Sequence, residues 1–286
     1  MSLKTIALLL AALAVMPAPL AVAAKDIPQP VAMSPADSAL AERAINRGWL
    51  MYAYDQAAWH GTDDMAVKMP DYADRVGGWI VEGPADATHL IFYSKDKDNP
   101  KAVYVADFRD SKLVSSKVLG ASDDTLLTQA QLKLIDARSR AKAAMLAAKV
   151  TFCANAAANS IVLPPEQSGG PYLVYFMTPQ TSNATVPIGG HFLFEVAVDG
   201  KVSNPRSFSK SCLEMPARGT DAKDARMAFV TSLLDPVPTE VHVFTMIAMR
   251  LPLVVGTTQN NLLWSLDFEN GHPRILSMGP ISKQAK

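Results

Sequence analysis

The side chains best suited to chemistry are concentrated in one short segment, from Tyr52 to Asp64, which is rich in aromatic and acidic residues. Asp55, His60 and Asp63 are of the types that ligate metal ions or exchange protons in catalysis. Residues five apart on a helix do not share one face, so Asp55 and His60 are poorly spaced for a joint site. The three residues are therefore weak candidates for an acid–base or metal site.

A structural interpretation of the same segment competes with the functional one. Gly is the usual residue just past a helix end, and His suits the last turn, so His60-Gly61 predicts the end of a helix. Trp59 would then lie in the core, and Thr62 or Asp63 would cap the next element. The spacing favours this structural interpretation.

Two other histidines have polar or glycine neighbours. His191 follows Gly189-Gly190, which either exposes the imidazole in a cleft or, as we favour, places it on a surface loop. Glu240 and His242 are two apart and would share one face of a strand, where a cross-strand salt bridge is the simple explanation. His191 joins Asp55, His60 and Asp63 as a weak catalytic candidate.

No longer motif strengthens these candidates. The sequence has no G-x-S-x-G elbow, H-E-x-x-H helix, P-loop or G-x-G-x-x-G turn. We therefore predict no cofactor and no metal site.

The two cysteines, Cys153 and Cys212, predict one disulfide, because the count is even and the chain carries an export signal described below. In the chain-entropy model a disulfide that closes so long a loop contributes roughly 4 kcal/mol. The alternative is a reactive thiol paired with a histidine, but no histidine lies close to either cysteine in the sequence.

The N-terminus has the pattern of a secretory signal. Lys4 precedes the uncharged apolar run Ile6–Met16, and an A-x-A site follows, with cleavage expected after Ala23 and Ala24 as the second choice. The run is too short to span a bilayer, which needs roughly 20 residues. We predict a signal peptide over residues 1–23 and a periplasmic or secreted mature chain.

The composition excludes several classes of protein. Lys plus Arg and Asp plus Glu each number 27, so no net charge attracts nucleic acid or an anionic membrane. An apolar content of 49% argues against a mainly disordered chain. No second apolar run predicts an integral membrane segment after cleavage. The partner is unknown, with an envelope protein or a small-molecule ligand both open.

The N-terminal half predicts a helix, a β-meander and a second helix. Ser34-Pro35 begins the first helix as N-cap and first helical residue, and Gly48 within it costs about 1 kcal/mol relative to Ala unless a close neighbour requires it. From Gly77, four short β-rich runs separated by turns predict an antiparallel meander. A small-residue stripe predicts a helix over about 124–149, with Thr128 and Gln131 as a capping box. Core packing is favoured over self-association for this stripe.

The C-terminal half reads as mainly β. Asp199-Gly200 predicts a type I′ hairpin, and Asn270-Gly271 a further turn. A helix is expected over 221–234, ending before Pro236. The expected strands are Ile161–Leu163, Tyr172–Met177 (buried on both faces), Phe192–Val198, Val202–Phe208, Val241–Ile247, Leu253–Val255, Leu262–Leu266 and Arg274–Leu276.

Two sets of short motifs resemble known families. Tyr52–Asp63, Thr178–Thr181, Gly189-Gly190-His191 and Ser211-Cys212-Leu213 together resemble an uncharacterised family of exported alphaproteobacterial proteins, which implies export but no activity. The order of a hairpin, Pro238–His242, Pro252–Thr257 and Leu263–Leu266 is similar to JAMM-type metalloprotease domains. Their H-x-H-P zinc ligands have no counterpart near Ser209–Cys212, so the resemblance carries over no catalytic residue.

Together these patterns predict an α+β fold in which antiparallel meanders pack with an N-terminal helix and a long central helix. The expected units are residues 24–149 and a mainly β region at 150–286, which can share one core. The function we expect is that of a non-enzymatic envelope or binding protein. The alternative is a periplasmic hydrolase that uses His60 or His191 with nearby carboxylates, which requires these groups to meet in one pocket.

Overall fold

The computed structural model describes residues 29–217 and 226–281. The predicted signal peptide at 1–23 and the first part of the helix expected over 221–234 lie outside these ranges. Within them, no helix is both long enough and apolar enough to cross a membrane.

The described chain has an α+β fold with four helices. Ser34 and Thr128 cap the two longest, and the capping box is confirmed: the Thr128 N–H donates to Gln131 Oε1 at 2.9 Å and the Gln131 N–H to Thr128 Oγ1 at 3.2 Å. The helices are α1 (Pro35–Lys68), α2 (Tyr72–Arg75), α3 (Gln129–Ala148) and α4 (Glu240–Met249).

Fourteen strands in the described ranges form four sheets, which are antiparallel except for one parallel pair, β11 and β12. The predicted meander is confirmed as the sheet β1-β2-β3-β4. The other sheets have the orders β5-β6-β8-β9, β10-β7 and β11-β12-β13-β14. The strands are β1 (Val76–Glu82), β2 (His89–Ser94), β3 (Ala102–Arg109), β4 (Lys112–Val118), β5 (Asn159–Leu163), β6 (Tyr172–Met177), β7 (Thr185–Pro187), β8 (Phe192–Val196), β9 (Arg206–Ser207), β10 (Glu214–Pro216), β11 (Ala228–Ser232), β12 (Leu253–Thr257), β13 (Leu262–Glu269) and β14 (His272–Pro280).

The two larger antiparallel sheets lie beside each other, with edge strands β1 and β5 as neighbours. Alternate residues of their strands point to opposite faces. On one face Phe92 and Tyr175 pack with Met51 and Tyr54 of α1. On the other face Ile91 and Phe176 pack with the Leu134–Ala141 stripe of α3. Strand β6 is therefore buried on both faces, as its continuous apolar run predicts.

A third hydrophobic cluster joins α1 and α4 to the C-terminal sheet. It contains Ala41 and Ala44 of α1, Met246 of α4 and Trp264 of β13. Helices α1 and α4 thus lie between the β11–β14 sheet and the pair of sheets β1–β4 and β5-β6-β8-β9, and α3 covers the far side of that pair. Each of the three clusters includes residues from before and after position 150, so the two halves share their cores.

Helix α1 does not end at His60-Gly61. It continues to Lys68 and stops at Met69, immediately before Pro70. Gly61 is buried inside the helix, and a Cβ there would lie 2.0 Å from a methyl carbon of Leu90. The glycine is present because strand β2 packs closely against this turn, not because the helix terminates.

Two predictions in the C-terminal half are wrong. Residues 241–247 belong to helix α4 rather than a strand, and residues 228–232 form strand β11 rather than part of a helix. Nearly every residue of α4 is buried, including the polar ones at its start. A helix that is apolar all round has no 3.6-residue pattern to distinguish it from a buried strand.

The hairpin at Asp199-Gly200 is shorter than predicted and its turn differs. Only Gly200 has a positive φ, of 84°, whereas a type I′ turn needs positive φ at both central residues. The hairpin has one bridge between Val196 and Val202, and backbone hydrogen bonds from the Ala197 N–H to the Lys201 carbonyl and from the Ser203 N–H to the Glu195 carbonyl support it. By contrast, Asn270 (φ 52°) and Gly271 (φ 83°) both adopt the conformation that a type I′ turn requires.

Candidate functional site

One face of helix α1 lines a cleft. Tyr52, Asp55, Gln56 and Trp59 are spaced at i, i+3, i+4 and i+7, which places them on the same side of the helix. The fully buried residues of α1 lie elsewhere around the helix, whereas this face is partly exposed, and its Tyr52 ring packs against Phe244 with centroids 6.3 Å apart. The cleft has a volume of about 310 Å³.

Helix α4 and the segment after β6 form the other walls of the cleft. Both walls contribute apolar residues to the lining of the cleft, and the lining also includes amide side chains. The apolar residues are Met177, Val186, Pro187, Phe244, Ala248 and Met249. The amides are Gln56, Asn159, Gln180 and Asn183.

Asp55 is the acidic group of the cleft. Its only hydrogen bond within the described ranges comes from Gln56 Nε2 at 3.4 Å, at the long limit for such a bond. Burial raises the pKa of Asp55 to about 6, and the weak bond from Gln56 offsets only part of that effect. The carboxylate is thus ionised at neutral pH but poorly solvated and unpaired.

Arg250 is the basic group of the cleft. It follows the last residue of α4 in a left-handed conformation, with φ 57°, and its side chain is exposed. Among the described residues it forms no ion pair or hydrogen bond through its guanidinium. A guanidinium without a partner at the rim of a cleft is available to a ligand carboxylate or phosphate.

Tyr52 lies near both charges. Burial raises the pKa of its phenol, the positive charge of Arg250 lowers it, and the negative charge of Asp55 raises it. The hydroxyl of Tyr52 makes no hydrogen bond to another described residue. The cleft therefore contains a carboxylate, a guanidinium and a phenol that are all free to bind a ligand.

His191 also lines the cleft, but its imidazole is fully engaged. Nδ1 accepts from the Thr178 N–H at 3.0 Å, and Nε2–H donates to the Pro187 carbonyl at 3.0 Å. These bonds fix one neutral tautomer. Burial lowers the pKa of His191 to about 4. The side chain is 1% exposed, so the expectation of a surface histidine is wrong.

The predicted disulfide is confirmed between Cys153 and Cys212, whose Cα atoms are 5.4 Å apart. The Gly189-Gly190 pair packs directly against it. A Cβ on Gly190, whose φ is 70°, would lie 2.6 Å from Cys153 Sγ. Thr178 Oγ1 accepts from the Cys153 N–H at 3.2 Å and donates to the Gly190 carbonyl at 2.9 Å. The disulfide, the glycines and His191 thus hold one wall of the cleft.

His60 and Asp63 do not belong to the cleft. Both side chains are exposed on the continuing helix α1. Trp59 is not in the core as expected: it is 50% exposed and stacks on the His60 ring, with ring centroids 5.2 Å apart. The structure therefore brings Asp55 and His191 into one cavity and leaves His60 and Asp63 outside it.

Glu240 and His242 lie in the first turn of α4, so they do not share a strand face. His242 Nδ1 accepts from the Thr239 N–H at 3.0 Å, which satisfies a helix-start amide. Burial lowers the pKa of His242 to about 4, and the positive charge of Arg206 acts in the same direction. The buried Glu240 accepts from the Tyr175 hydroxyl at 2.8 Å and lies 3.7 Å from Arg47. These contacts anchor α4 to α1 and β6.

The described residues contain no group of three His, Cys, Asp or Glu side chains that would hold a metal ion. A larger depression of about 770 Å³ lies between α3 and the β2–β3 turn. Most of its charged side chains, among them Lys95, Asp96 and Lys142, are exposed to solvent. Its partly buried cation, Arg138, already donates to the Ser160 and Tyr93 hydroxyls at 2.7 and 3.1 Å. We therefore take the cleft beside α1 as the candidate site.

The sequence contains one signal for this site, which lies within the segment Tyr52–Asp64. Tyr52, Asp55, Gln56 and Trp59 recur at helical spacing, which places them on one face of a helix. Arg250 and the α4 residues gave no comparable signal, because α4 resembled a strand. No protein-family model, curated protein or solved structure matches the chain.

Proposed function

We propose that the protein is an exported, non-enzymatic binding protein that holds a small polar ligand in the cleft between α1 and α4. The observation that carries the proposal is the state of the polar groups in the cleft. Tyr52, Asp55 and Arg250 have no strong partner in the described chain, whereas the cleft histidine has both ring nitrogens bonded. The carboxylate, the guanidinium and the phenol are therefore available to a ligand, whereas the imidazole that a hydrolase would need for proton transfer is not.

The shape and lining of the cleft support the proposal. Its volume of about 310 Å³ is at the lower end of small-molecule sites, which are mostly apolar with a few placed polar groups. Met177, Phe244 and Met249 provide apolar contact, and the surrounding amides provide both donors and acceptors. The half-exposed ring of Trp59 at the cleft is typical of sites that pack a ring or chain against an aromatic face.

Export is supported by two independent features. A disulfide persists in oxidising compartments and is rare in the cytosol. The predicted signal peptide supplies the route across the membrane. A periplasmic binding or envelope role accounts for both.

A hydrolase is the alternative function, and the geometry of the cleft disfavours it. Nδ1 of His191 already accepts a backbone N–H, so it has no lone pair for a substrate proton. The pKa of His191, lowered to about 4, is far from the value suited to a general base near pH 7. His60 lies outside the cleft, and no nucleophile among the described residues is hydrogen-bonded to Asp55.

The proposal is tested by closing the cleft with a bulky side chain. Ala248→Phe places a ring inside it, whereas Ala147→Phe adds the same ring on the exposed side of α3 and serves as the control. A library of small polar metabolites is screened by thermal shift against the wild type. A ligand at 100 times its Kd stabilises the fold by about 2.7 kcal/mol.

We expect at least one compound to raise the Tm of the wild type and of Ala147→Phe but not that of Ala248→Phe. Binding that survives Ala248→Phe would place the ligand elsewhere and refute the proposal. If the wild type instead hydrolyses a compound that it binds, the hydrolase function would be favoured.

A further inference from the structure

The cleft holds two opposite charges that are paired neither with each other nor with another described residue. Asp55 lies on α1 and Arg250 lies at the end of α4, so they reach the cavity from different walls. No described carboxylate lies within 4.0 Å of Arg250, and no described cation lies within that distance of Asp55. The space between the two groups is therefore left for a ligand.

Near α4, other partly buried charges have partners of opposite sign. Arg47 binds Glu166 at 2.6 Å, and Arg206 binds Asp235 at 2.7 Å. Burying a carboxylate without a partner destabilises the folded protein, because the carboxylate loses its hydration. A cation that binds beside the carboxylate offsets part of that loss. Asp55 is in that position, and its unpaired state is an exception among the partly buried carboxylates near α4.

The two charges are close enough to act on the same side chain. The Tyr52 phenol responds to the negative field of Asp55 and to the positive field of Arg250. Its free hydroxyl can donate to a carboxylate or accept from an ammonium group. One small molecule that contacts Tyr52 is thus within the field of both charges.

The pair of charges selects among ligand classes. A neutral sugar would leave Asp55 desolvated and without a cation, and would leave Arg250 without an anion. A simple amine would pair with Asp55 but leave Arg250 without an anion, and a simple carboxylate would pair with Arg250 but leave Asp55 without a cation. A molecule with both charges satisfies both, and its aliphatic part can contact Met177, Phe244 and Met249.

We propose, resting on the binding function above, that the ligand is a small zwitterion of the free α-amino acid class. Its ammonium group binds Asp55 and its carboxylate binds Arg250. Tyr52 and the surrounding amides contact the polar atoms that remain. The side chain of the ligand lies against the apolar wall formed by α4.

The experiment is calorimetric titration of the full chain with each of the twenty L-α-amino acids. Every amino acid that binds is then tested as its methyl ester, which keeps the ammonium group, and as its N-acetyl derivative, which keeps the carboxylate. The variants are Asp55→Asn and Arg250→Gln, with Arg250→Lys to retain the charge. Asp55→Asn keeps the shape of the side chain, Arg250→Gln shortens it while keeping a polar end, and far-UV circular dichroism checks the fold.

We expect both blocked derivatives to bind at least tenfold more weakly than the free amino acid. Asp55→Asn should weaken the free amino acid tenfold or more but not the N-acetyl derivative, which has no ammonium group to lose. Arg250→Gln should weaken the free amino acid but not the methyl ester, and Arg250→Lys should restore most of the affinity. Equal binding of free and blocked forms would overturn the inference.

The outcomes also separate this inference from the proposed function. If no amino acid binds but D-glucose or another library compound does, and Ala248→Phe abolishes that binding, the cleft is a binding site and the zwitterion inference is wrong. If Ala248→Phe leaves every detected binding event unchanged, the binding function itself is wrong.

Discussion

Gly48 of helix α1 lies directly against Val243 of helix α4. A Cβ built on Gly48 would be 2.6 Å from Val243 Cβ and 2.6 Å from the Glu240 carbonyl oxygen. Two helices can approach this closely only where one of them has no side chain. The glycine therefore sets the distance between α1 and α4, and with it the width of the cleft between them.

Gly48→Ala should destabilise the fold by about 1–3 kcal/mol, the usual cost of overpacking, although Ala is the better helix former by about 1 kcal/mol. Gly120→Ala is the matched control, because its Cβ would meet nothing closer than 3.9 Å. Chemical denaturation of both variants measures the difference. A Gly48→Ala variant as stable as the wild type would show that the two helices separate without cost.

Two buried histidines should make the fold sensitive to acid. Burial lowers the pKa values of His191 and His242 to about 4, whereas an unfolded histidine has a pKa near 6.5. Between these values the unfolded chain binds more protons than the folded one, so stability falls as the pH drops from 6.5 to 4. Each histidine should contribute of the order of 2–3 kcal/mol to this loss.

Urea denaturation at pH 7.5, 6, 5 and 4 measures the effect. His242→Gln should flatten the pH dependence, whereas the same change at exposed His60 should leave it as it is. An unchanged slope in His242→Gln would mean that the imidazole is not held neutral in the folded state.

Asp55 should show the opposite dependence. Its folded pKa, raised to about 6, lies above the usual value of 3.8, so the folded chain binds the extra proton and stability falls as the pH rises from 4 to 6. Asp55→Asn removes this cost and should stabilise the protein by about 1–2 kcal/mol at pH 7.5 but hardly at pH 4. Asp63→Asn, exposed on the same helix, is the control. A gain that is the same at both pH values would contradict the assignment.

Loss of the disulfide should affect both stability and the cleft. Cys153 and Cys212 are 59 positions apart, and closing so long a loop contributes roughly 4 kcal/mol at most. The double change Cys153→Ser with Cys212→Ser should lower the Tm, and it should also weaken ligand binding, because Thr178 and Gly190 connect the disulfide to His191. Binding measured well below the new Tm separates the two effects. Unaltered affinity in the folded double variant would show that the disulfide does not position the cleft.

Local signals in the sequence were enough for several elements. Ser34-Pro35 predicted the start of α1, Thr128 with Gln131 the cap of α3, and the alternating runs after Gly77 the four-stranded meander. Each of these rests on contacts between residues near one another in the chain or on a simple period. The disulfide prediction rested instead on composition, an even cysteine count together with the predicted signal peptide, and it is confirmed.

Three errors share a cause, which is burial imposed by distant parts of the chain. Gly61 resembled a helix end because the sequence does not distinguish a glycine required by close packing, here against Leu90, from a glycine that ends a helix. Residues 241–247 resembled a strand because α4 is enclosed on all sides and so lost its helical period. His191 resembled a surface residue because nothing in its local sequence indicates that its imidazole bonds the Thr178 N–H, 13 positions away, and is enclosed by the surrounding segments.

By itself, the sequence determined where the chain changes from helix to meander, which two sulfurs join, and that antiparallel sheets dominate. Those features depend on short-range periodicity, capping and turn chemistry. Only the tertiary structure decided that Tyr52, Asp55 and Trp59 face α4 across a cleft, with Arg250 at its rim and a fully bonded histidine in its wall. A site of this kind is made by the crossing of two helices nearly 200 positions apart, and no local pattern encodes the distance at which they cross.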